Sequence, residues 1–264
     1  MSIFTEPILS ACIVLHQSGI RVLHAVQCFQ ESDIELELHV VDNSPGGTLG
    51  MHLQWQCPGV QYYPQRKDLG FGEGNNFVIP NLRSQYHLIC HPDVSFDEKL
   101  LSNMVAYMER NKSCMILTPK FVNPDGIEQF MPRRAPNLRY LLSSVFSKLN
   151  GPFKAWRDEY TLADTEICTP TSVEVASGCF MMIRTSVLRQ LKGFNPAFFF
   201  THADSDLSRR ALESGSIVYH PDMVVTHDKQ VKSRNLPEIL KRMGNTIRYL
   251  NMWGWGKAPT RFPE

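Results

Sequence analysis

Two stretches decide how this chain folds: Ile8-Leu9-Ser10-Ala11-Cys12-Ile13-Val14-Leu15 and Leu36-Glu37-Leu38-His39-Val40-Val41. Each is a short apolar run rich in β-branched residues and reads as a buried strand. Between them Val22, Val26 and Phe29 recur at spacings of three and four, the mark of a helix. Strand, helix and strand in this order make a βαβ unit, with parallel strands and a right-handed crossover. The second strand runs into Asp42-Asn43-Ser44-Pro45-Gly46-Gly47, a dense turn signal. Open parallel sheets bind ligands at the carboxyl ends of their strands, which is where Asp42 falls.

Working outward, Val60 to Tyr63 reads as a third strand leading into Asp68-Leu69-Gly70-Phe71-Gly72-Glu73-Gly74-Asn75-Asn76. Its alternate glycines suit a tight turn or a loop that comes close to a nucleotide. They are not the dinucleotide fingerprint, whose last two glycines are further apart. His87 to Cys90 is a fourth strand, ending at His91-Pro92-Asp93-Val94. Asp97 then caps a helix whose inner face is Leu100, Leu101, Met104, Val105 and Met108. Met115 to Thr118 is the next strand, so residues 1–119 read as a doubly wound nucleotide-binding half. Residues 120–172 carry many prolines, a short helix from Leu138, and the basic residues Arg133, Arg134 and Arg139. This part reads as an irregular insertion over the site. Residues 173–228 resume regular structure: Val173 to Ala176, Ser177-Gly178-Cys179, strand Phe180 to Ile183, a helix ending at Gly193, then strands Ile217 to Tyr219 and Met223 to Thr226 before His227.

Within that last part lies Phe198-Phe199-Phe200-Thr201-His202-Ala203-Asp204-Ser205-Asp206, an aromatic run that passes into two carboxylates and a helical pattern. Asp204 and Asp206 suit a general base, a metal ligand or a helix cap. From Lys229 on, eight basic residues face two acidic ones, although the whole chain has a net charge of only +1. Leu236, Ile239, Leu240, Met243, Ile247 and Leu250 recur there at helical spacing, with Trp253 and Trp255 following. Residues 229–264 therefore read as a basic amphipathic helical tail that packs on the domain or also meets an anionic membrane surface. The seven cysteines are scattered without a Cys-x-x-Cys pair, which suits reduced thiols and a cytoplasmic setting rather than a disulfide frame. Neither a secretory signal nor a membrane-spanning stretch is expected.

Taken together, Val40-Val41-Asp42-Asn43-Ser44, Gly70 to Asn76, Pro92-Asp93-Val94, Ala176 to Met181, Gly193-Phe194-Asn195 with Phe198-Phe199, Asp204 to Leu207, and His220-Pro221 with His227 resemble the family 2 glycosyltransferases. The resemblance covers nearly the whole chain and is closest to the bacterial rhamnosyltransferase branch. It implies a GT-A fold, a mixed α/β sheet flanked by helices. It implies an inverting, metal-dependent enzyme that uses a nucleotide-sugar, dTDP-rhamnose or a UDP-sugar, with Mg²⁺ or Mn²⁺. The acceptor it implies is a glycan or lipid-linked saccharide rather than nucleic acid, met in the cytoplasm or on the inner face of the membrane. By position, Asp93 and His227 would hold the metal, with Asp93 otherwise a turn residue. Asp42, Asn43, Gly72, Gly74, Asn75, Ser177 and Gly178 would line the donor, and Asp204 would be the base. Two positions depart from the family pattern: His91 replaces an acidic or amide residue, and Ala203 replaces a glutamate. The alternatives are another UDP-sugar donor, such as UDP-GlcNAc, UDP-galactose or UDP-galactofuranose, or a catalytically silent glycosyltransferase-like binding module. Asp206 is expected to cap its helix or to pair with Arg209 or Arg210.

Overall fold

The computed structural model describes residues 6–19, 22–44, 49–131, 133–146, 151–199, 201–228 and 236–256. Pro45, Gly46, Gly47, Phe200 and the basic residues Lys229, Lys232, Arg234, Lys257 and Arg261 lie outside them. The expected βαβ unit is present as β1 (Leu9–Leu15), α1 (Val22–Glu31) and β2 (Leu36–Asp42). It is followed by α2 (Leu49–Gln56), β3 (Gln61–Pro64), α3 (Gly70–Asn76), β4 (Tyr86–Cys90), β5 (Val94–Phe96), α4 (Leu100–Arg110) and β6 (Cys114–Val122). Next come α5 (Leu138–Val145), α6 (Pro152–Thr161), β7 (Thr171–Ser172), β8 (Phe180–Arg184), α7 (Thr185–Gln190), α8 (Ala203–Ala211), β9 (Ser216–His227) and α9 (Leu236–Trp253).

One sheet runs in the order β3-β2-β1-β4-β8-β6-β9-β5, with β7 paired to β9. The strands β3, β2, β1 and β4 are mutually parallel, as the crossover pattern requires. β8 then enters antiparallel between β4 and β6, making the sheet mixed. The two strands expected around His220-Pro221-Asp222 are one long β9, and its register against β6 shifts between Pro119 and Lys120. A proline cannot donate to a ladder, so it belongs at such an irregularity.

The strands alternate between two apolar layers. Leu9, Ala11, Ile13 and Leu15 face one layer with Val22, Val26 and Phe29 of α1 and Leu101, Met104 and Met108 of α4. Cys12, Val41 and Ile89 face the other, with Val187 and Leu188 of α7, Leu207 and Ala211 of α8, and Tyr249 and Leu250 of α9. Near-total burial on both faces explains why β1 reads as a continuous apolar run rather than an alternating one.

The glycine-rich stretch differs from expectation. Residues 70–76 are helical, neither a tight turn nor an open loop. A methyl at Gly74 would stand 2.7 Å from Val14 Cγ1, and one at Gly72 would stand 3.0 Å from Phe194 Cβ. The glycines let α3 lie directly on β1 and on the segment after α7. Gly70, at φ +77°, starts the helix from a left-handed conformation that few other residues tolerate. Asn76 fixes the other end, accepting from Phe194 N at 2.8 Å and donating to Phe194 O at 2.8 Å.

Two imidazoles lie inside the sheet. His87 is fully buried, its Nδ1 2.7 Å from Ser10 Oγ, and His39 is 3% exposed. Burial lowers the His39 pKa to about 4, and burial with repulsion from His39 lowers His87 to about 3. Below the ordinary value near 6.5 the unfolded chain takes up protons that the folded chain refuses. Stability is therefore full above that pH and falls on acidification, by about 1.4 kcal/mol per pH unit for each histidine. Urea unfolding of His87→Gln between pH 6 and 4 should show a slope shallower by that amount than the parent; equal slopes would rule out His87 as the source.

Candidate active site

The site forms where β4 ends. Cys90 closes the strand, and His91-Pro92-Asp93 turns the chain into β5, whose Val94 pairs with His227 at the end of β9. Asp228 N donates to Asp93 O at 2.9 Å. This pairing brings three side chains together. His227 Nε2 lies 3.3 Å from Asp93 Oδ1, and His91 Nδ1 is in hydrogen-bond contact with the same oxygen. One ligand atom from each residue lies within 4.8 Å of the other two.

The charges in this cluster reinforce one another. Burial opposes protonation of His227, but hydrogen bonds to Asp93 and the Cys179 thiol push its pKa up to about 9. His91 is raised against the same burial by Asp93. Burial would raise the Asp93 carboxyl, yet the two imidazoles hold it well below the usual carboxylate range. Cys179 is likewise lowered by His227 and His91 despite burial.

Two imidazole nitrogens and a carboxylate are a competent donor set for a divalent cation, and the nitrogens suit Mn²⁺ better than Mg²⁺. The ring of His227 is already oriented for such a role. Its Nδ1 lies 3.0 Å from Gln129 Oε1, and Gln129 Nε2 donates to His227 O at 2.9 Å. With Nδ1–H engaged by Gln129, Nε2 is the nitrogen that faces Asp93: it donates to the carboxylate when the ring is protonated, and loss of that proton would free its lone pair for a cation. His91, which departs from the family pattern, is thus part of the cluster. Gln129 went unremarked in the sequence, because a lone glutamine in an irregular stretch carries no spacing signal.

Asp204 stands on the first turn of α8. Its Oδ2 accepts from Gly178 N at 3.3 Å and its Oδ1 from Ser205 N at 2.8 Å. The next residue reaches the His91, Asp93 and His227 group, since His91 N donates to Cys179 O at 2.8 Å. Consecutive residues thus join Asp204 to the His91, Asp93 and His227 group. Ser177 Oγ accepts from Cys179 N at 3.2 Å and holds this link in shape. A methyl on Gly178 would lie 2.8 Å from Phe71 Cζ, so only glycine lets α3 close over it. Ala203 is 3% exposed within the apolar layer beneath α3, so the position next to Asp204 is packed with hydrophobic groups.

The remaining predicted residues have more local work. Asp42 is buried, accepting from Ser44 N at 2.8 Å and from the Tyr62 hydroxyl at 2.7 Å. Asn43 Nδ2 donates to Gly70 O at 3.1 Å, and Asn75 Nδ2 to Phe71 O at 2.9 Å. The Oδ1 atoms of Asn43 and Asn75 are buried without a partner. These residues form a polar floor between β1, β2 and α3, and Gly72 and Gly74 are committed to packing. A hollow of about 750 Å³ along β3, lined by Tyr62, Tyr63, Arg66, Lys67 and Phe77 among others, contains none of them.

Asp206 is fully buried and accepts from Arg210 Nε at 2.8 Å and from Trp253 Nε1 at 3.0 Å. Of its expected roles the ion pair with Arg210 is the one observed. Its bond from Trp253 docks α9, whose Tyr249 and Leu250 are buried while Met243 and Ile247 are exposed. Asp206→Ala would strand both donors and should lower unfolding stability by about 3–5 kcal/mol in a denaturant titration.

The model of glycosyl transferase family 2 matches residues 10–192, well over half of the chain. This chain belongs to glycosyl transferase family 2. It is 26% identical over 244 residues to the N-acetylglucosaminyl-diphospho-decaprenol L-rhamnosyltransferase of Mycobacterium tuberculosis, covering 84% of this chain and 78% of that protein. Among solved structures it superposes on GalNAc-T7 in a complex with UDP, GalNAc and Mn²⁺, at TM-score 0.68 and 13% identity. That match covers 95% of this chain and 48% of the other. The mannosyltransferase PcManGT of Pyrobaculum calidifontis, with GDP-Man and Mn²⁺, gives TM-score 0.62 at 14% identity, over 94% of this chain and 64% of the other. The chain thus spans between about half and two thirds of these solved chains. The fold is GT-A, and this family 2 glycosyltransferase is a nucleotide-sugar-dependent enzyme. Among its described residues no helix is long and apolar enough to cross a membrane.

Proposed function

We propose that the enzyme transfers L-rhamnose from dTDP-rhamnose, with inversion, to a polyprenyl-diphosphate-linked saccharide of a cell-surface polysaccharide. The acceptor class and the sugar follow the name of the mycobacterial relative. The observation that carries the mechanism is the peptide link at Gly178-Cys179, which holds Asp204 on one side and His91 on the other.

In this reading the acceptor hydroxyl approaches Asp204. Its proton passes to the carboxylate as the oxygen bonds to the anomeric carbon and the bond to the diphosphate breaks. The nucleoside diphosphate leaves from the opposite face. The N–H groups of Gly178 and Ser205 keep the carboxylate oriented for that transfer. No second carboxylate is needed, because no covalent glycosyl intermediate forms. A divalent cation held by His91, Asp93 and His227 would supply positive charge for the departing diphosphate. The buried acceptors of Asn43 and Asn75 are suited to donors on the nucleotide. The exposed Met243, Ile247 and Trp255 of the C-terminal region suit peripheral contact with the inner face of the membrane, where a lipid-linked acceptor resides.

Incubation with a panel of dTDP-rhamnose, UDP-GlcNAc, UDP-galactose and UDP-galactofuranose, with Mn²⁺ and an isoprenyl-diphosphate-linked GlcNAc acceptor, tests the reading through nucleoside diphosphate release. dTDP-rhamnose should be turned over fastest. Asp204→Asn should lower kcat by about 10²–10⁴-fold while still binding nucleotide. Absence of turnover and of binding with every donor would refute the assignment.

The cation has its own check. Gln129→Ala removes the partner that orients His227 and should weaken Mn²⁺ binding by about 10–100-fold. Mn²⁺ electron paramagnetic resonance in the presence of dTDP measures it, and an unchanged affinity would remove His227 from the ligand set.

A further inference from the structure

Arg133 and Arg134 have no part in the chemistry above, yet both side chains reach into the protein. Their backbones are fixed on two sides. Arg133 N donates to Val175 O at 3.2 Å and Val175 N returns to Arg133 O at 3.0 Å, while Arg134 N donates to Tyr160 O at 3.0 Å. Val175 leads directly into Ser177 and Gly178, so the arginines are tied to the segment that holds Asp204. The Arg133 guanidinium lies over the Tyr160 ring, 5.8 Å from its centroid, and feels the charge of Asp204.

Other arginines in this fold are met by acceptors. Arg210 pairs with Asp206, and Arg184 donates to the carbonyls of Cys114, Met108 and Asn111 and to the Tyr86 hydroxyl. Among the described residues neither Arg133 nor Arg134 forms an ion pair with a carboxylate. The Nε atom of each is buried with no hydrogen-bond partner. A cation withdrawn from water is costly unless an anion meets it. The Arg133 side chain also hydrogen-bonds to Tyr160, yet each guanidinium keeps an unmet Nε–H, and two adjacent guanidiniums match phosphate oxygens, which they can engage in a forked, two-bond geometry.

We propose that Arg133 and Arg134 form a diphosphate-binding subsite beside Asp204, filled by the diphosphate of the lipid-linked acceptor. The inference rests on the glycosyltransferase reading of Asp204. It assigns the donor's diphosphate to the cation cluster, which already supplies positive charge, and leaves the arginines for the second diphosphate. The subsite would place the acceptor saccharide by its charged stem, so that the hydroxyl next to Asp204 is selected by reach from the diphosphate. A neutral glycoside would then be a poor acceptor even with the right sugar.

The test uses the full chain, its Arg133→Gln, Arg134→Gln and Arg133→Lys variants, and three probes that need no turnover: dTDP, UDP and farnesyl diphosphate. Calorimetry should show farnesyl diphosphate binding weakened by about 10-fold or more in each glutamine variant, with dTDP and UDP unchanged. Arg133→Lys keeps the charge but loses the fork and should fall between. In the transfer assay the KM for the isoprenyl-diphosphate-linked GlcNAc acceptor should rise similarly, and that for an alkyl glycoside of GlcNAc should not. Weaker dTDP and UDP binding with farnesyl diphosphate unchanged would overturn the proposal and give the arginines to the donor instead. Folded variants that bind all three probes like the parent would overturn the proposal. Should one glutamine variant fail to fold, the other and Arg133→Lys give the same readout. Since binding is measured apart from sugar transfer, failure of the transferase reading would appear as lost turnover with the farnesyl diphosphate result intact.

Discussion

The hydrogen bond from His91 N to Cys179 O is one rung beyond the last paired residues of β4 and β8, and the site depends on it. Had the sheet continued in parallel, the carboxyl end of β4 would have faced only other strand ends and loops. Because β8 runs the other way, its amino-terminal approach meets the end of β4. One residue, Cys179, can then touch the chain at His91 while the residue before it, Gly178, touches Asp204. The candidate site is built on an inversion of strand direction, and the residues around it serve to hold that crossing in place. Ser177 shapes the turn, Gly178 makes room for Phe71, and Phe180 starts the strand.

The second requirement is close approach. α3 sits on β1 through glycine contacts, and Asn76 locks its far end to Phe194 with two 2.8 Å bonds. The ring of Phe71 then caps Gly178, so the position of Asp204 is referred back to the first strand through direct packing. In a densely packed interior such contacts transmit displacement rather than absorb it. The glycines at 72, 74 and 178 are therefore one device: each omits a side chain so that a backbone can come near.

Much of this was legible in the sequence, and the reasons are physical. The strands β1, β2 and β4 are buried on both faces, so they announce themselves as apolar runs. The helix α4 shows its inner face by spacing. Asp93, His227 and Asp204 follow strand or helix boundaries, where polar residues stand out against apolar neighbours. What could not be read was long-range pairing. The antiparallel entry of β8 depends on which edge it joins, and no local pattern encodes that. Helix α6 has no buried residue, so its apolar periodicity is faint, and Tyr160 went unnoticed with it. The glycine stretch misled because alternate glycines usually signal a loop, whereas here tertiary packing makes a helix of them against their propensity. Gln129 is visible only once β9 has delivered His227 beside it.

The bond between Trp253 and Asp206 gives the C-terminal helix a different standing from that of an appended tail. Asp206 divides its two oxygens between Arg210, on its own helix, and Trp253, 47 residues further along the chain. To lift α9 away is to leave a buried carboxylate oxygen unmatched, a loss of about 1–3 kcal/mol before any apolar contact is counted. Opening of α9 is therefore coupled to the stability of α8 through that carboxylate. Asp204 lies on α8, so how firmly its carboxylate is held in place is set partly by how firmly the last helix stays docked.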